Sequence, residues 1–360
     1  MRNIKNILVT GGAGFIGSNF IHYLFEQTSF KGNIINVDKL TYAGNLNNLK
    51  NLKSEFLSRY HFELTDICDG EKIDKIFNKY SIDCVVHFAA ESHVDRSILG
   101  PKEFIDTNII GTFNLLEIAR KYWLNEKNNN GKNFLFHHIS TDEVFGSLGE
   151  TGYFYENTAY DPRSPYSASK ASSDHLVKAY FHTYGLPVTI SNSTNNYGAY
   201  QFPEKLLPVM IGNIINEKKL PVYGDGKNIR DWLFVEDHCS AIYEIIQKGT
   251  VGETYNVGGE NEWTNIDLIN VLCEKIAKIK NKDIDYYKKL ISFVKDRSGH
   301  DRRYAINCDK IKNELGWEQS VDFSEGLDLT IDWYLNNQKW IDDIKNESYR
   351  DWIKANYDNR

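Results

Sequence analysis

An α/β fold is what this sequence predicts: a doubly wound parallel sheet with helices on both faces, joined to a smaller, mainly C-terminal α/β domain. Three observations carry that expectation. Short β-rich apolar runs alternate with longer amphipathic stretches through the first half, the order expected of βαβ units. A glycine-rich turn, TGGAGFIG, follows the first run at once and opens a helix. Around residue 195 the alternation gives way to segments such as NNYGAYQFPEK and VYGDGKNIRDW, where Gly, Pro, Asn and aromatic residues crowd together as they do in loops.

Taken in order, NILVT reads as the first strand, a helix runs from about 15 to 28, and NIINVD is the second strand. HFELTD, DCVVHFAA and NFLFHHIS supply the next three. Residues 104–123 and 167–184 read as helices, the first with Phe104, Ile105, Ile109, Phe113, Leu116 and Ile118 as its apolar members. The polar run NEKNNNGKN, 125–133, reads as an exposed loop. ETYNVGG reads as a return strand and IDLINVLCEKIAKI as a helix of the smaller domain. The expected division is therefore discontinuous: 1–195 with about 232–260 as one domain, 196–231 with 261–360 as the other. In such a sheet, ligands belong at the carboxyl ends of the strands.

Composition narrows the function. The 360 residues are 41% hydrophobic and 25% charged, ordinary globular usage that fits neither a disordered chain nor a fibrous repeat. The net charge of −7 is the wrong sign for a protein held on phosphate backbones, so no nucleic-acid partner is expected. No apolar run approaches 18 residues, and the apolar opening is broken by four glycines, so neither a membrane partner nor a targeting segment is expected. Five widely spaced cysteines without a CxxC suggest neither a disulfide framework nor a zinc site, and a cytoplasmic location is the expectation.

The turn after the first strand places Gly11, Gly12, Gly14 and Gly17 in both a GxGxxG and a GxxGxxG pattern. Small residues there let the backbone approach a pyrophosphate, and the helix N-terminus supplies free N–H groups. Asp38 ends the second strand 21 residues beyond Gly17, where a carboxylate accepts from both adenosine ribose hydroxyls and repels a 2′-phosphate. The pattern is that of a Rossmann-type dinucleotide site, and NAD rather than NADP is the expected cofactor, the neighbouring Lys39 notwithstanding. Asp66 and Ile67, read as the end of the third strand, would flank the adenine, while Ala89 and Ala90 offer a small surface after the fourth.

Tyr166 and Lys170 lie four apart in YSASK, which puts both side chains on one helix face. A cation beside a phenol stabilises phenolate, so this tyrosine is expected to have a lowered pKa and to accept a proton from a sugar hydroxyl as hydride leaves the carbon. With the upstream fingerprint, the chain resembles short-chain dehydrogenases/reductases of the extended type, which bind nucleotide-sugars. At the strand end HHISTDEVFG, Thr141 is followed by the adjacent carboxyls Asp142 and Glu143. Like charge and desolvation push the pKa values of such a pair apart, so one can act as acid and the other as base. Elimination of water needs both.

TDEVFG, AAESHVDRS, YSASK, NNYGAYQFPEKLLP, LPVYGDGKNIRDW and RSGHDRRYAI, spread over about residues 7–308, resemble the motifs of dTDP-glucose 4,6-dehydratases. The resemblance implies that Tyr166, helped by Lys170 and Thr141, removes the C4 hydroxyl proton of dTDP-glucose while NAD⁺ accepts the C4 hydride. Glu143 then takes the C5 proton, Asp142 protonates the departing C6 hydroxyl, and hydride returns to C6. The implied product is dTDP-4-dehydro-6-deoxy-glucose, an entry to rhamnose and other deoxysugars of surface polysaccharides. Implied cofactor contacts are Phe15, Ile16, Asp38, Lys39, Leu40, Thr41, Phe88, Ala89, Ala90, Glu91, Ser92, Thr107 and Asn196, with Tyr166 and Lys170.

Implied substrate contacts are Ser92, Thr141, Asn195, Lys205, Leu206, Pro221, Val222, Tyr223, Arg230, Asn265, Asp296, Arg297, Ser298, Gly299, His300 and Tyr357. A guanidinium suits a diphosphate, although Arg230 and Arg297 read alone are more often surface ion-pair partners. Tyr223 can stack on thymine or fill the core of the cap. His93 and His300 have no ligand-spaced partners, and no metal is expected. The helices 104–123 and 167–184 match those of a superfamily homodimer interface. Phe145, Ala199 and Ser298 depart from the family's Tyr, Pro and Pro. A UDP- or GDP-sugar 4,6-dehydratase, a nucleotide-sugar 4-epimerase and a non-enzymatic NAD-binding scaffold are the competing readings.

Overall fold

The computed structural model describes residues 1–125, 134–296 and 299–344. The loop expected at 125–133, beyond Asn125, and the contacts expected of Arg297, Ser298 and Tyr357 lie outside the described residues. Twelve strands are described: β1 Asn6–Thr10, β2 Asn33–Asp38, β3 Tyr60–Leu64, β4 Cys84–His87, β5 Leu135–Thr141, β6 Val188–Ser193, β7 Asn195–Tyr197, β8 Leu220–Tyr223, β9 Ile229–Phe234, β10 Thr254–Val257, β11 Glu262–Thr264 and β12 Ile291–Val294. Seven form one parallel sheet in the order β10-β6-β5-β4-β1-β2-β3. The order reverses between β1 and β4, which opens a crevice at their carboxyl ends.

Strands buried on both faces read as unbroken apolar runs, and β1 shows why. Leu8 packs with Val37, Phe77, Leu115 and Val177 on one face; Val9 packs with Phe20, Leu24, Val86 and Ile242 on the other. The helices Gly70–Tyr80, Thr112–Trp123 and Pro165–Tyr184 cover the first face, and Phe15–Glu26 and Val235–Lys248 cover the second. Trp123 is fully buried and its indole N–H reaches the Ile82 carbonyl at 2.8 Å.

The smaller lobe carries the three-stranded sheet β11-β9-β7 and the parallel pair β12-β8. The helices Leu206–Ile215, Asn265–Lys280 and Phe323–Asn336 pack on it around Met210, Trp232, Leu268, Leu272 and Ile331. A fourth cluster, including Val144, Phe145, Tyr255, Ile306 and Trp317, joins the lobes. Among the described residues no helix is long and apolar enough to cross a membrane.

Three boundaries differ from the sequence reading. The first helix stops at Glu26, because the Thr28 hydroxyl takes the Leu24 carbonyl at 2.7 Å and so competes with the next helical turn. Strand β3 ends at Leu64, ahead of Asp66 and Ile67: Asp66 accepts from Cys68 N at 2.9 Å and turns the chain. Residues 101–123 are helical throughout but pass through a π-helical stretch, Ile105–Gly111. That wider turn buries Asn108, whose side chain bonds both backbone groups of Glu91, at 2.9 and 3.0 Å, and Ser169 Oγ at 2.8 Å.

Candidate active site

The crevice at the β1/β4 reversal is a continuous cleft of about 300 Å³ that runs from the glycine turn to Tyr166. Gly11 sits at φ +71, and a Cβ there would lie 2.7 Å from the Ala89 backbone nitrogen, so only glycine lets this turn meet the end of β4. Gly14 caps the Phe15–Glu26 helix without a side-chain hydrogen bond or an acidic residue in the first turn. The first-turn N–H groups at Phe15, Ile16 and Gly17 are thus left to an external acceptor, and all three residues line the cleft. Gly12 turns instead toward Asn36, where a Cβ would collide with the amide; it serves helix–sheet packing.

Asp38 lines the cleft from the end of β2. Its carboxylate is anchored by Ala13 N at 3.0 Å and Leu40 N at 2.8 Å, while burial pushes its pKa up. Leu40 is held at φ +54 for that contact and is not itself in the lining. Lys39, Thr41, Ile67, Phe88, Ala89, Ala90, Glu91, Ser92, Thr107 and Asn196 all line the cleft. Asp66 does not; it stands 3.5 Å from Lys39 Nζ. A bare glycine cradle, uncapped N–H groups and a fixed carboxylate at its far side fit a dinucleotide's pyrophosphate and ribose.

Tyr166 enters the cleft because SPYS is a helix start: Ser164 and Ser167 form a reciprocal capping box, each bond 3.0 Å, with Pro165 at the first position. Four residues on, Lys170 Nζ donates to the Ile139 carbonyl at 2.7 Å and lies 3.4 Å from His138 Nε2. His138 Nε2 is 3.2 Å from Asp174 Oδ1, and Asp174 Oδ2 accepts from Ser140 Oγ at 2.7 Å and Tyr160 OH at 2.9 Å. Burial brings Lys170 down to about 8, against the pull of the Asp174 charge. His138 falls to about 4, by burial and then by the Lys170 charge.

The expected lowering of Tyr166 is corrected here: burial, and after it the Glu143 charge, raise this phenol well above its ordinary value. Desolvation disfavours the charged form, and the lysine is turned onto a carbonyl rather than onto the phenol.

Strand β5 ends at Thr141, and a 3₁₀ turn, Asp142–Phe145, follows. Thr141 Oγ1 donates to Asp142 Oδ1 at 3.3 Å and accepts from Glu143 N at 3.3 Å. Asp142 is 2% exposed, and its Oδ2 has no hydrogen-bond partner among the described residues. Burial first, then the charges of Glu143 and Asp231, hold its carboxyl well above the usual range. That shift favours the protonated form, the one that can donate. Glu143 beside it is only half-buried. Phe145 stacks on Phe154 at 5.2 Å and meets Tyr160 edge-on at 5.3 Å, an apolar seat.

Asn195 and Lys205 also line the cleft, and Lys205 Nζ bonds the Ser92 carbonyl at 2.9 Å. Leu206, Pro221, Val222, Tyr223, Arg230, Asn265, Asp296, Gly299 and His300 stand outside that lining, on the smaller lobe. Several of them meet one another. Tyr223 faces His300 edge-on at 6.3 Å, and His300 Nδ1 is 2.6 Å from Asp296 Oδ1. Arg230 is 5% exposed, donates to the Ile229 and Asp301 carbonyls, and covers the Tyr304 ring at 4.3 Å. Its charge also reaches Asp142, which sets β9 beside the catalytic end of the cleft.

The cleft further includes Val37, Ala43, Gly44, Thr65, Ile139, Ser140, Ser193, Thr194, Gln201, Phe202 and Glu204, none of them singled out in the sequence. Ser193 ends β6 and Thr194 follows it, so both were reachable from the strand-end rule. Glu204 was not: it is a buried carboxylate in a loop, fixed by Tyr42 OH at 3.0 Å and Arg96 Nε at 3.1 Å.

Comparison with known proteins agrees with this geometry. A family model described as GDP-mannose 4,6 dehydratase matches residues 8–330. The chain is 52% identical to a dTDP-glucose 4,6-dehydratase of Escherichia coli, over 98% of this chain and 99% of that one. It is 53% identical to the Neisseria meningitidis enzyme of the same name, over 96% and 98%. A crystal structure of dTDP-glucose 4,6-dehydratase from Bacillus anthracis in complex with NAD superposes with a TM-score of 0.83 at 47% identity, covering 95% of this chain and 100% of that one. A UDP-glucose 4-epimerase of Thermotoga maritima is more distant, with a TM-score of 0.80 at 29% identity over 92% and 99%.

Proposed function

The chain belongs to the dTDP-glucose 4,6-dehydratase family of extended short-chain dehydrogenases/reductases, and from that membership we infer that it converts dTDP-glucose to dTDP-4-dehydro-6-deoxy-glucose and water. The observation that carries the reading is the adjacent carboxyl pair, Asp142 buried with its pKa pushed up and Glu143 half-buried, in one cleft with Tyr166 and the glycine cradle. A 4-epimerase has no use for an acid and a base at this place.

The cradle of Gly11, Gly14 and the first helical turn would hold the pyrophosphate of NAD, and Asp38 its adenosine ribose. When bound, NAD⁺ supplies the oxidant, accepting the C4 hydride and returning it at C6. Tyr166 must ionise before it takes the C4 hydroxyl proton, a step that its burial makes costlier, with Thr141 and Lys170 orienting the site around it. The new C4 carbonyl acidifies the C5 proton, which Glu143 removes. Asp142 protonates the C6 hydroxyl so that it departs as water. Arg230, Tyr223, Asn265, Asp296, Gly299 and His300, on the smaller lobe, would contact the nucleotide-sugar, and the division of labour is 1–195 with about 232–260 for NAD, 196–231 with 261–360 for the nucleotide-sugar.

Substrate deuterated at C4 tests the reaction: the label should arrive at C6 within the same molecule, with the mass of one water lost. Label kept at C4 would mean epimerisation, and label lost to solvent or free nicotinamide would mean an open redox reaction. UDP- and GDP-glucose run beside dTDP-glucose rank the nucleotide.

The functional unit is a homodimer in the cytoplasm. Ile105, Ile110 and Phe113 are 44%, 49% and 44% exposed on the helical face beside Pro165–Tyr184, and Leu99 is 72% exposed nearby. Such apolar exposure marks a contact surface. Native mass should be twice that of the chain, and Leu99→Asp with Phe113→Asp should return it to the monomer. The five cysteines are unpaired, as suits a reducing compartment.

A further inference from the structure

Two loops from different lobes line the cleft: Thr41, Ala43 and Gly44 after β2 in the larger lobe, and Phe202, Glu204 and Lys205 ahead of the Leu206–Ile215 helix in the smaller one. Tyr42 joins them. It lies between two lining residues but turns its side chain to the other loop, with its ring edge-on to Phe202 at 5.4 Å and its hydroxyl donating to Glu204 Oε1 at 3.0 Å. The second Glu204 oxygen accepts from Arg96 Nε at 3.1 Å. The Arg96 guanidinium, from the helix Val94–Leu99, covers the Tyr42 ring at 3.8 Å. Each of the three side chains thus touches the other two.

This triangle is hard to open. The Glu204 side chain is 2% exposed, and taking a partner from a buried carboxylate leaves an uncompensated charge. Burial pushes the Glu204 pKa up, and the charges of Lys205 and Arg96 work against that. A guanidinium that both stacks on a ring and donates to a carboxylate is also strongly directional. None of the three side chains takes part in the proton or hydride steps above. What they do is make the position of one loop conditional on the other. The first loop adjoins Asp38, whose Oδ1 accepts from Leu40 N at 2.8 Å and which is assigned to the adenosine ribose. The second leads straight into Lys205 and Leu206, assigned to the nucleotide-sugar, and Lys205 Nζ adds its own bond to the Ser92 carbonyl at 2.9 Å.

We propose that Glu204 is a positioning residue that couples the two ligands: through Tyr42 and Arg96 it ties the nucleotide-sugar loop to the cofactor loop, so that a bound nucleotide holds NAD in place. A reaction whose hydride leaves and returns needs the cofactor kept between the two transfers. The inference rests on the assignment of the two sites given above.

The test times the loss of bound NAD after rapid dilution of the NAD-loaded protein, without nucleotide and with dTDP raised until its effect saturates. In the wild type dTDP should slow the loss by about tenfold, a usual size for coupling between two sites. Tyr42→Phe keeps the ring on Phe202 and Arg96 and removes one hydrogen bond, so the slowing should fall to about threefold. In Glu204→Ala it should vanish. Trp340→Phe is the control: it removes a different bond between the lobes, from the indole N–H to Asn48 Oδ1 at 2.8 Å, and neither residue lines the cleft. It should keep the full tenfold effect. A wild type indifferent to dTDP, a full effect in Tyr42→Phe, or an equal loss of the effect in Trp340→Phe would each overturn the proposal. Should Glu204→Ala melt below the others, Tyr42→Phe against Trp340→Phe decides alone. A wild type that takes up no NAD would end the site assignment as well, an outcome distinct from NAD that binds and leaves at one rate with or without dTDP.

Discussion

Glu143→Gln is expected to leave the enzyme able to begin the reaction and unable to finish it. The amide keeps the shape of the side chain and cannot accept the C5 proton, so water loss should slow by about 10²–10⁴-fold, the usual contribution of a positioned general base. C4 oxidation should survive. Glu143 is the largest influence after burial that raises both Asp142 and Tyr166, so removing its charge makes the Tyr166 phenol easier to ionise and favours the first step. Mixing the variant with dTDP-glucose should therefore produce a stable nicotinamide absorbance near one equivalent per site, with a 4-keto sugar that retains its C6 oxygen. Turnover at the wild-type rate would take the base role away from Glu143. A variant that neither reduces NAD nor melts like the wild type would be a folding defect and is recognised by that melt.

Much of this site was legible because its residues act through spacing along the chain. The glycine turn, Asp38 and the Tyr166–Lys170 pair are local patterns whose geometry follows from strand and helix periodicity, and the structure gathers them in one cleft. What spacing does not encode is which neighbour arrives from far away. The ladder from Lys170 through His138 to Asp174 and Tyr160 draws on β5, one helix and the loop ahead of it, and it made Tyr166 the place where local reasoning failed. A lysine four residues away suggests a lowered phenol, but the depth of the pocket and the charge at Glu143 outweigh it. The π-helical stretch was equally hidden: IDTNIIG has ordinary helical composition, and only the packing of Asn108 on Glu91 and Ser169 explains the wider turn. Arg230 shows a third kind of limit. Its charge type suggested a diphosphate, but nothing in its spacing announced that the folded lobe would bury it against Tyr304 and the Asp301 carbonyl.

Tyr166→Phe should stop the reaction one step earlier than Glu143→Gln does. The ring is 9% exposed and packs edge-on against Phe104 at 6.3 Å, contacts that phenylalanine retains, so stability and NAD content should hold. The hydroxyl is the only part removed, and with it goes the acceptor proposed for the O4 proton. A loss of about 10²–10⁴-fold in kcat is expected from the missing base, with little change in KM because the groups proposed to contact the substrate on the smaller lobe are untouched. The two variants differ in what accumulates: reduced nicotinamide in Glu143→Gln, none in Tyr166→Phe. Order of action then makes a stricter claim about the double variant. If proton removal at O4 precedes removal at C5, Tyr166→Phe with Glu143→Gln must look like Tyr166→Phe alone, without reduced nicotinamide, and the two losses in kcat must fall short of multiplying, since residues acting on one sequence of events are not additive. Reduced nicotinamide in the double variant would show that something other than Tyr166 takes the first proton. Lys170, held near 8 by burial against Asp174, is the next group to examine in that event: as a neutral amine above that pH it can accept a proton, so the residual oxidation would rise as the pH passes 8, whereas below it the ammonium form offers no base.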